Sequence, residues 1–161
     1  MSEPYYIGAV VRLEILVRTN TTRLATAAAA GATTITVYDT TGYADTITLV
    51  IEPSETPEMG PQETRIVSGT PTATVITLAA ALAFAHPAGA LVSELVAGTV
   101  AATVRLPDGT TSAGSVSNVS TGRYRVDYTT TQAGEHRIEW AVSGAAVAAG
   151  VYPFTVLTDT I

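Results

Sequence analysis

The stretch from Thr121 to Leu157 constrains the fold more than any other part of the chain. In it Tyr124, Val126 and Tyr128 alternate with Arg123, Arg125 and Asp127. After a turn at Gln132-Ala133-Gly134, the residues His136, Ile138, Trp140 and Val142 alternate with Glu135, Arg137, Glu139 and Ala141. A period of two puts one series on a buried face and the other in water, which is the pattern of a strand and not of a helix. Ser143-Gly144 breaks the second run, and Val151 to Leu157 supplies a third that carries Phe154 and Val156. Two long strands and a returning one, joined by glycine turns, predict the hairpin end of a β-sandwich.

The same stretch carries a resemblance. Gly122-x-Tyr124-x-Val126-x-Tyr128-Thr129, then Ala133-Gly134-x-His136-x-Ile138, then Pro153-Phe154-Thr155-Val156 resembles the C-terminal half of filamin-type immunoglobulin-like repeats. It is also similar to the immunoglobulin-like modules of tailed-bacteriophage virion proteins. The likeness covers about a quarter of the chain. It implies an immunoglobulin-like sandwich that serves as a display and contact module. The chain departs from antibody domains in having no cysteine, hence no inter-sheet disulfide, and in placing its one tryptophan, Trp140, on a late strand.

Residues 98–157 supply only about five strands, whereas such a sandwich wants about seven. The missing material lies at the front, where Val11, Leu13, Ile15 and Val17 alternate with Arg12, Glu14, Leu16 and Arg18 until Asn20-Thr21-Thr22 is expected to end the strand. The expected architecture is therefore all-β. A discontinuous sandwich takes residues 1–23 plus 98–157, a second small β module of residues 24–97 is inserted near its N-terminus, and 158–161 form a tail. Two sequential domains are the alternative topology. Within 24–97, short strands are expected around Ile35 and Val37, at Ile47 to Ile51, Glu63 to Val67, Thr74 to Leu78 and Leu91 to Val96. Ala79 to His86 is expected to form one short helix, closed by Pro87 and Gly89. The alanine run before Gly31 reads as a linker or strand lead-in. The Ala/Thr-rich strands of this segment resemble a small β module recurrent in phage structural proteins.

With 47% hydrophobic and 14% charged residues the chain is too apolar to be disordered. It nevertheless lacks the run of about eighteen apolar residues that a membrane helix needs. The opening MSEPYY has no basic region followed by an apolar core, so no secretory signal is expected and synthesis in the host cytoplasm is. A net charge of −6, with all eight basic residues arginine and scattered, makes nucleic acid an unsuitable partner. Absence of cysteine removes thiol catalysis and thiolate metal sites. His86 and His136 are the only histidines, and no GxSxG or HExxH motif occurs. No catalysis, no cofactor and no metal site are expected. Arg123, Arg125 and Arg137 are expected to pair across strands with Glu135, Asp127 and Glu139.

Two sets of residues stand out as candidate contacts. Glu52, Pro53, Glu55, Pro57, Glu58, Met59 and Pro61 belong to a segment of three prolines and four glutamates ending at Glu63, which cannot form a packed element. An exposed loop is expected, serving as an arm onto a neighbouring subunit or simply solvated; its carboxylates are too dispersed to gather the six to eight oxygens calcium wants. Tyr5, Tyr6 and Tyr43 are candidate aromatic contacts, with Tyr152 beside them as a platform on which a sugar could stack. The resulting expectation is a non-catalytic virion structural protein of a tailed phage, either capsid decoration (cement) or a head–tail neck or tail attachment. It would touch capsid, neck or tail subunits as a symmetric homo-oligomer through multivalent contacts. A carbohydrate-binding adhesin module, with a glycan as ligand, is the alternative.

Overall fold

The computed structural model describes residues 5–52 and 62–158. These are all-β: fourteen strands are assigned among the described residues, and no helix. They form two compact units, Met1–Val17 with Ala97–Ile161, and Arg18–Val96.

The first unit contains β1 (Tyr5–Tyr6), β2 (Val10–Leu16), β9 (Gly98–Arg105), β10 (Thr111–Ala113), β11 (Ser115–Ser120), β12 (Arg123–Thr129), β13 (Gly134–Gly144) and β14 (Ala148–Leu157). One sheet has the order β1-β14-β13-β9-β10 and the other β11-β12-β2. All these pairings are antiparallel except β1 with β14. The period-two reading of the sequence describes the inner faces well. Tyr124, Val126 and Tyr128 are buried and stand opposite Ile15, Leu13 and Val11 of β2. From the other sheet Val104, Ile138, Val142, Phe154 and Val156 are buried. Fully buried Val126, Val104 and Ile138 each contribute about 1.5–3 kcal/mol of hydrophobic stabilisation.

Contacts between inward residues hold these two sheets face to face as a β-sandwich. The rings of Tyr128 and His136 lie 6.0 Å apart, and the Tyr124 hydroxyl reaches Gly98 on β9. The chain passes from one sheet to the other at Gly114, where a Cβ would lie 2.7 Å from Val126 Cγ1 and 3.3 Å from Ala102 Cβ. Only glycine lets the strand cross there. The Pro107-Asp108-Gly109 turn forms as its sequence dictates, with Gly109 at φ +84° and its N–H donating to the Leu106 carbonyl. Asp108 accepts from the Thr110 hydroxyl and the Gln132 amide, which together with the Thr110 N–H hold its carboxyl down at about 2.

The second unit contains β3 (Arg18–Arg23), β4 (Thr34–Thr36), β5 (Thr48–Ile51), β6 (Glu63–Ile66), β7 (Val75–Thr77) and β8 (Leu91–Leu95). β3-β8-β5-β6 form one sheet, and β4 pairs with β7. Leu24, Ile35, Val37, Leu49, Ile51 and Ile76 are at the centre of its core. Two local expectations are corrected here. Asn20-Thr21-Thr22 does not end a strand: β3 runs through it with a bulge between Thr19 and Thr21, and Asn20 takes φ 38°. Residues 18–23 accordingly pair with β8 inside the second unit.

The second correction concerns Ala79 to His86, which is not a helix but a chain of bends. Its backbone groups go to the other alanine-rich segment instead. Ala28 N–H donates to the His86 carbonyl and His86 N–H to the Ala28 carbonyl, each at 2.8 Å, and Leu82 exchanges bonds with Gly31 and Ala32. Alanine's helix preference is worth tenths of a kcal/mol per residue, roughly, and long-range pairing with the burial of Leu82 overrides it.

Candidate functional site

Of the loop residues predicted to contact a partner, Pro53, Glu55, Pro57, Glu58, Met59 and Pro61 lie outside the described residues. Its first residue, Glu52, is held at the loop's foot. The carboxylate accepts from Arg18 at 2.5 Å and from the Gln62 amide at 3.3 Å. These contacts fix where the segment departs from the second unit's sheet.

The aromatic candidates are not brought together. Tyr43 is buried in the second unit, and its hydroxyl donates to the carbonyls of Asn20 and Val92. Burial pushes its phenol pKa well above the ordinary value, with the nearby charges of Glu94 and Asp39 adding to the rise against a hydrogen bond with Thr22. Tyr43 thereby pins the Asn20 bulge; its ring is not offered to a ligand. Tyr5 lies in β1, edge-on to Phe154 at a centroid distance of 5.7 Å, its pKa raised by burial and by neighbouring Tyr152. Tyr6 is 49% exposed. Tyr152 stacks on Phe154 at 6.3 Å and Phe154 on His136 at 5.1 Å. The first unit thus carries a row of rings, three of them, Tyr152, Phe154 and His136, along β14 and β13.

His136 is buried within that row. Nδ1 lies 3.2 Å from the Gly134 carbonyl, so Nδ1 carries the proton, and Nε2 finds no hydrogen-bond partner among the described residues. His86 is equally buried but belongs to a different cluster, one without a recognisable sequence signal. Its Nε2 lies 2.6 Å from Glu63 Oε1. Glu63 also accepts from the N–H groups of Ala83 and Phe84 and pairs with Arg65. Burial raises the Glu63 pKa, but the Ala83 N–H, His86 and the Arg65 charge together outweigh it, and the net shift is downward. With its oxygens occupied by four partners, the carboxylate stitches the 79–86 bends onto β6.

Of the predicted arginine pairs Arg125 with Asp127 forms, but along one strand and not across two. Asp127 is bonded by Arg12 from β2 and by Arg125 two residues along β12, each at 2.9 Å. The Arg12 hydrogen bond lowers its pKa, opposed by slight desolvation and helped by both arginine charges. Glu139 pairs with Arg105 of β9 and not with Arg137. Register set by distant strands decides these pairs, and one run of sequence cannot show it.

Beside Asp127 lies an open cleft of about 330 Å³ lined by Leu106, Ser112, Ser115, Tyr128, Thr129 and Thr131, among others. Its rim is rich in hydroxyl groups with one ionised carboxylate. Among the described residues no group of three or more His, Asp or Glu is arranged to hold a metal ion.

No family model matches the sequence, and a search of curated proteins returns no match.

Proposed function

We propose that the chain is a non-catalytic structural component of a tailed-phage particle, serving as capsid decoration or as a neck or tail attachment and acting through multivalent protein–protein contacts. The observation that supports the display-module part of this reading is the strand order of the first unit. Sheets β1-β14-β13-β9-β10 and β11-β12-β2 correspond to the two sheets of an immunoglobulin-like sandwich, one with strands C, C′, F and G and the other with B, E and D. In this correspondence β2 is strand B and β9 is strand C, and the second unit occupies the connection between them.

The second unit is then an insertion, and the ends of both units support it. In the first unit a Cβ on Gly98 would meet Val17 Cγ1 at 3.2 Å, so the chain departs and returns at adjacent points. In the second unit Arg18 pairs with Leu95. Adjacent ends on guest and host are what a tolerated insertion requires.

A sandwich by itself hosts many activities. The assignment to a virion rests on the likeness of the 121–157 motif to virion modules, supported by polar groups that are spent on structure: Glu63 on a turn, Asp127 on two arginines, Tyr43 on a bulge. The test is co-sedimentation of the protein with phage particles through a density gradient; a protein found only at the top of the gradient contradicts the proposal.

One feature favours a second reading, a carbohydrate-binding adhesin. The cleft beside Asp127 offers hydroxyls and a carboxylate of the kind that hydrogen-bond sugar hydroxyls. Glycan-array binding that disappears in Asp127→Asn would select this reading over the first.

A further inference from the structure

We propose that the outer edge of β14 pairs antiparallel with the same edge of a second copy of this chain, joining two five-stranded sheets across a two-fold axis. The pairing deepens the assembly reading above by naming a partner and a surface for it.

β14 is the longest edge left open. β1 covers only Val156 and Leu157 of it, so Ala148–Thr155 have no strand on their outer side among the described residues. The backbone direction along this edge follows from two bonds elsewhere in the sheet. Gly98 turns its N–H and carbonyl to the Tyr124 hydroxyl, and the Ala102 carbonyl accepts from Gly114 N–H. Even-numbered residues of β9 therefore face away from β13. Alternation carried through the registers Gly144↔Gly98 and Trp140↔Gly150 then points the backbone of Ala149, Val151, Pro153 and Thr155 outward. Pro153 agrees: it falls where the ladder to β13 asks for no N–H.

Length, regularity and lack of charge together single out this edge among the described residues, and the lack of charge suits a like partner. Edge strands ordinarily carry charges, bulges or short lengths that prevent pairing. β2 carries Arg12 and Glu14, β11 has a bulge between Asn118 and Ser120, β10 is three residues long, and β3 and β6 carry arginine. β14 is ten residues without one charge. In an isologous contact the strand meets its own sequence, residue i against j and j against i, so an uncharged strand incurs no repulsion that a like-charged one would. The side chains on its outer face are also apolar: Val147 at the turn is 86% exposed and Val151 58%. Setting the axis beside Gly150 places Ala149 opposite Val151 of the second copy, twice, with all N–H and carbonyl groups of those residues paired. Pro153 then lies beyond the central bonds.

The test is sedimentation velocity on the full chain from about 1 to 200 µM. The pairing predicts a reversible dimer whose dissociation constant rises at least about tenfold in Val151→Glu, because two carboxylates enter one sheet edge. Val10→Glu, equally exposed but on β2, leaves the dimer unchanged. Hydrogen exchange at the Ala149 and Val151 amides slows as concentration rises. A monomer at every concentration overturns the proposal, as does a dimer that Val151→Glu leaves intact. Protection at β14 independent of concentration also overturns it, since the edge is then covered from within one chain. None of these readouts depends on whether the protein is found on particles, so the edge and the virion reading fail separately.

Discussion

Replacing Tyr124 by phenylalanine tests the sandwich at the point where the chain returns to it. The ring is buried in the first unit and its hydroxyl makes two bonds to one residue, donating to the Gly98 carbonyl at 2.6 Å and accepting from the Gly98 N–H at 3.0 Å. Gly98 is closely surrounded, since even an added Cβ would come within 3.1–3.2 Å of Val142, Ser143 and Val17. The Tyr124→Phe variant keeps the ring and strands both backbone groups. A buried group stranded in this way costs about 1–3 kcal/mol, and half-exposed Gly98 recovers some of that from water, so about 1–2 kcal/mol is expected. For a unit of about 80 residues melting on its own that lowers the melting temperature by about 4–16 °C. Differential scanning calorimetry reads it, with a separate transition fitted for each compact unit and the loss confined to the first. Tyr128→Phe is the internal control, since that hydroxyl makes only a 3.3 Å contact with Thr131 and its removal is expected to cost under about 1 kcal/mol. A Tyr124→Phe loss no larger than that of Tyr128→Phe would refute the clamp.

Three further outcomes are expected. Glu63→Gln removes the charge facing Arg65 in a nearly buried pair and lowers stability by about 3 kcal/mol in urea titrations. Because the folded-state pKa of Glu63 lies below its ordinary 4.5, its contribution is present above that pH and is lost as pH falls through the folded value; the wild-type advantage over Glu63→Gln therefore shrinks below pH 4.5. Gly150→Ala places a Cβ 2.5 Å from the Trp140 ring, so a destabilisation of about 1–3 kcal/mol and a shifted tryptophan emission are expected. Asp127→Asn leaves Arg12 and Arg125 without a carboxylate where solvent screens the charges, so the melting temperature is expected to stay close to the wild-type value.

Much of the first unit was legible because its strands are long and half-buried. Period-two alternation in 123–129 and 134–142 names the buried series residue by residue, and Tyr124, Val126, His136 and Ile138 lie where it puts them. The second unit was less legible, because its strands run three to six residues and its core draws on turns as much as on strands. The alanine segment 79–86 shows why: local propensity favours a helix, while the groups that settle its path are Ala28, Gly31 and Glu63, far off in sequence. Contacts had the same limit. Glu63 with His86, Tyr124 with Gly98 and Arg105 with Glu139 are separated by tens of residues, and the path of the 79–86 bends, the packing of two sheets and strand register respectively bring them together.

Quantitative mass spectrometry of purified phage particles decides the virion assignment, with the copy number of this chain scaled to the most abundant shell protein. The protein is expected in fixed ratio, near that of the shell protein for capsid decoration or a small fraction of it for a neck or tail ring. Its absence from the particles would contradict the virion assignment and leave the adhesin reading in its place.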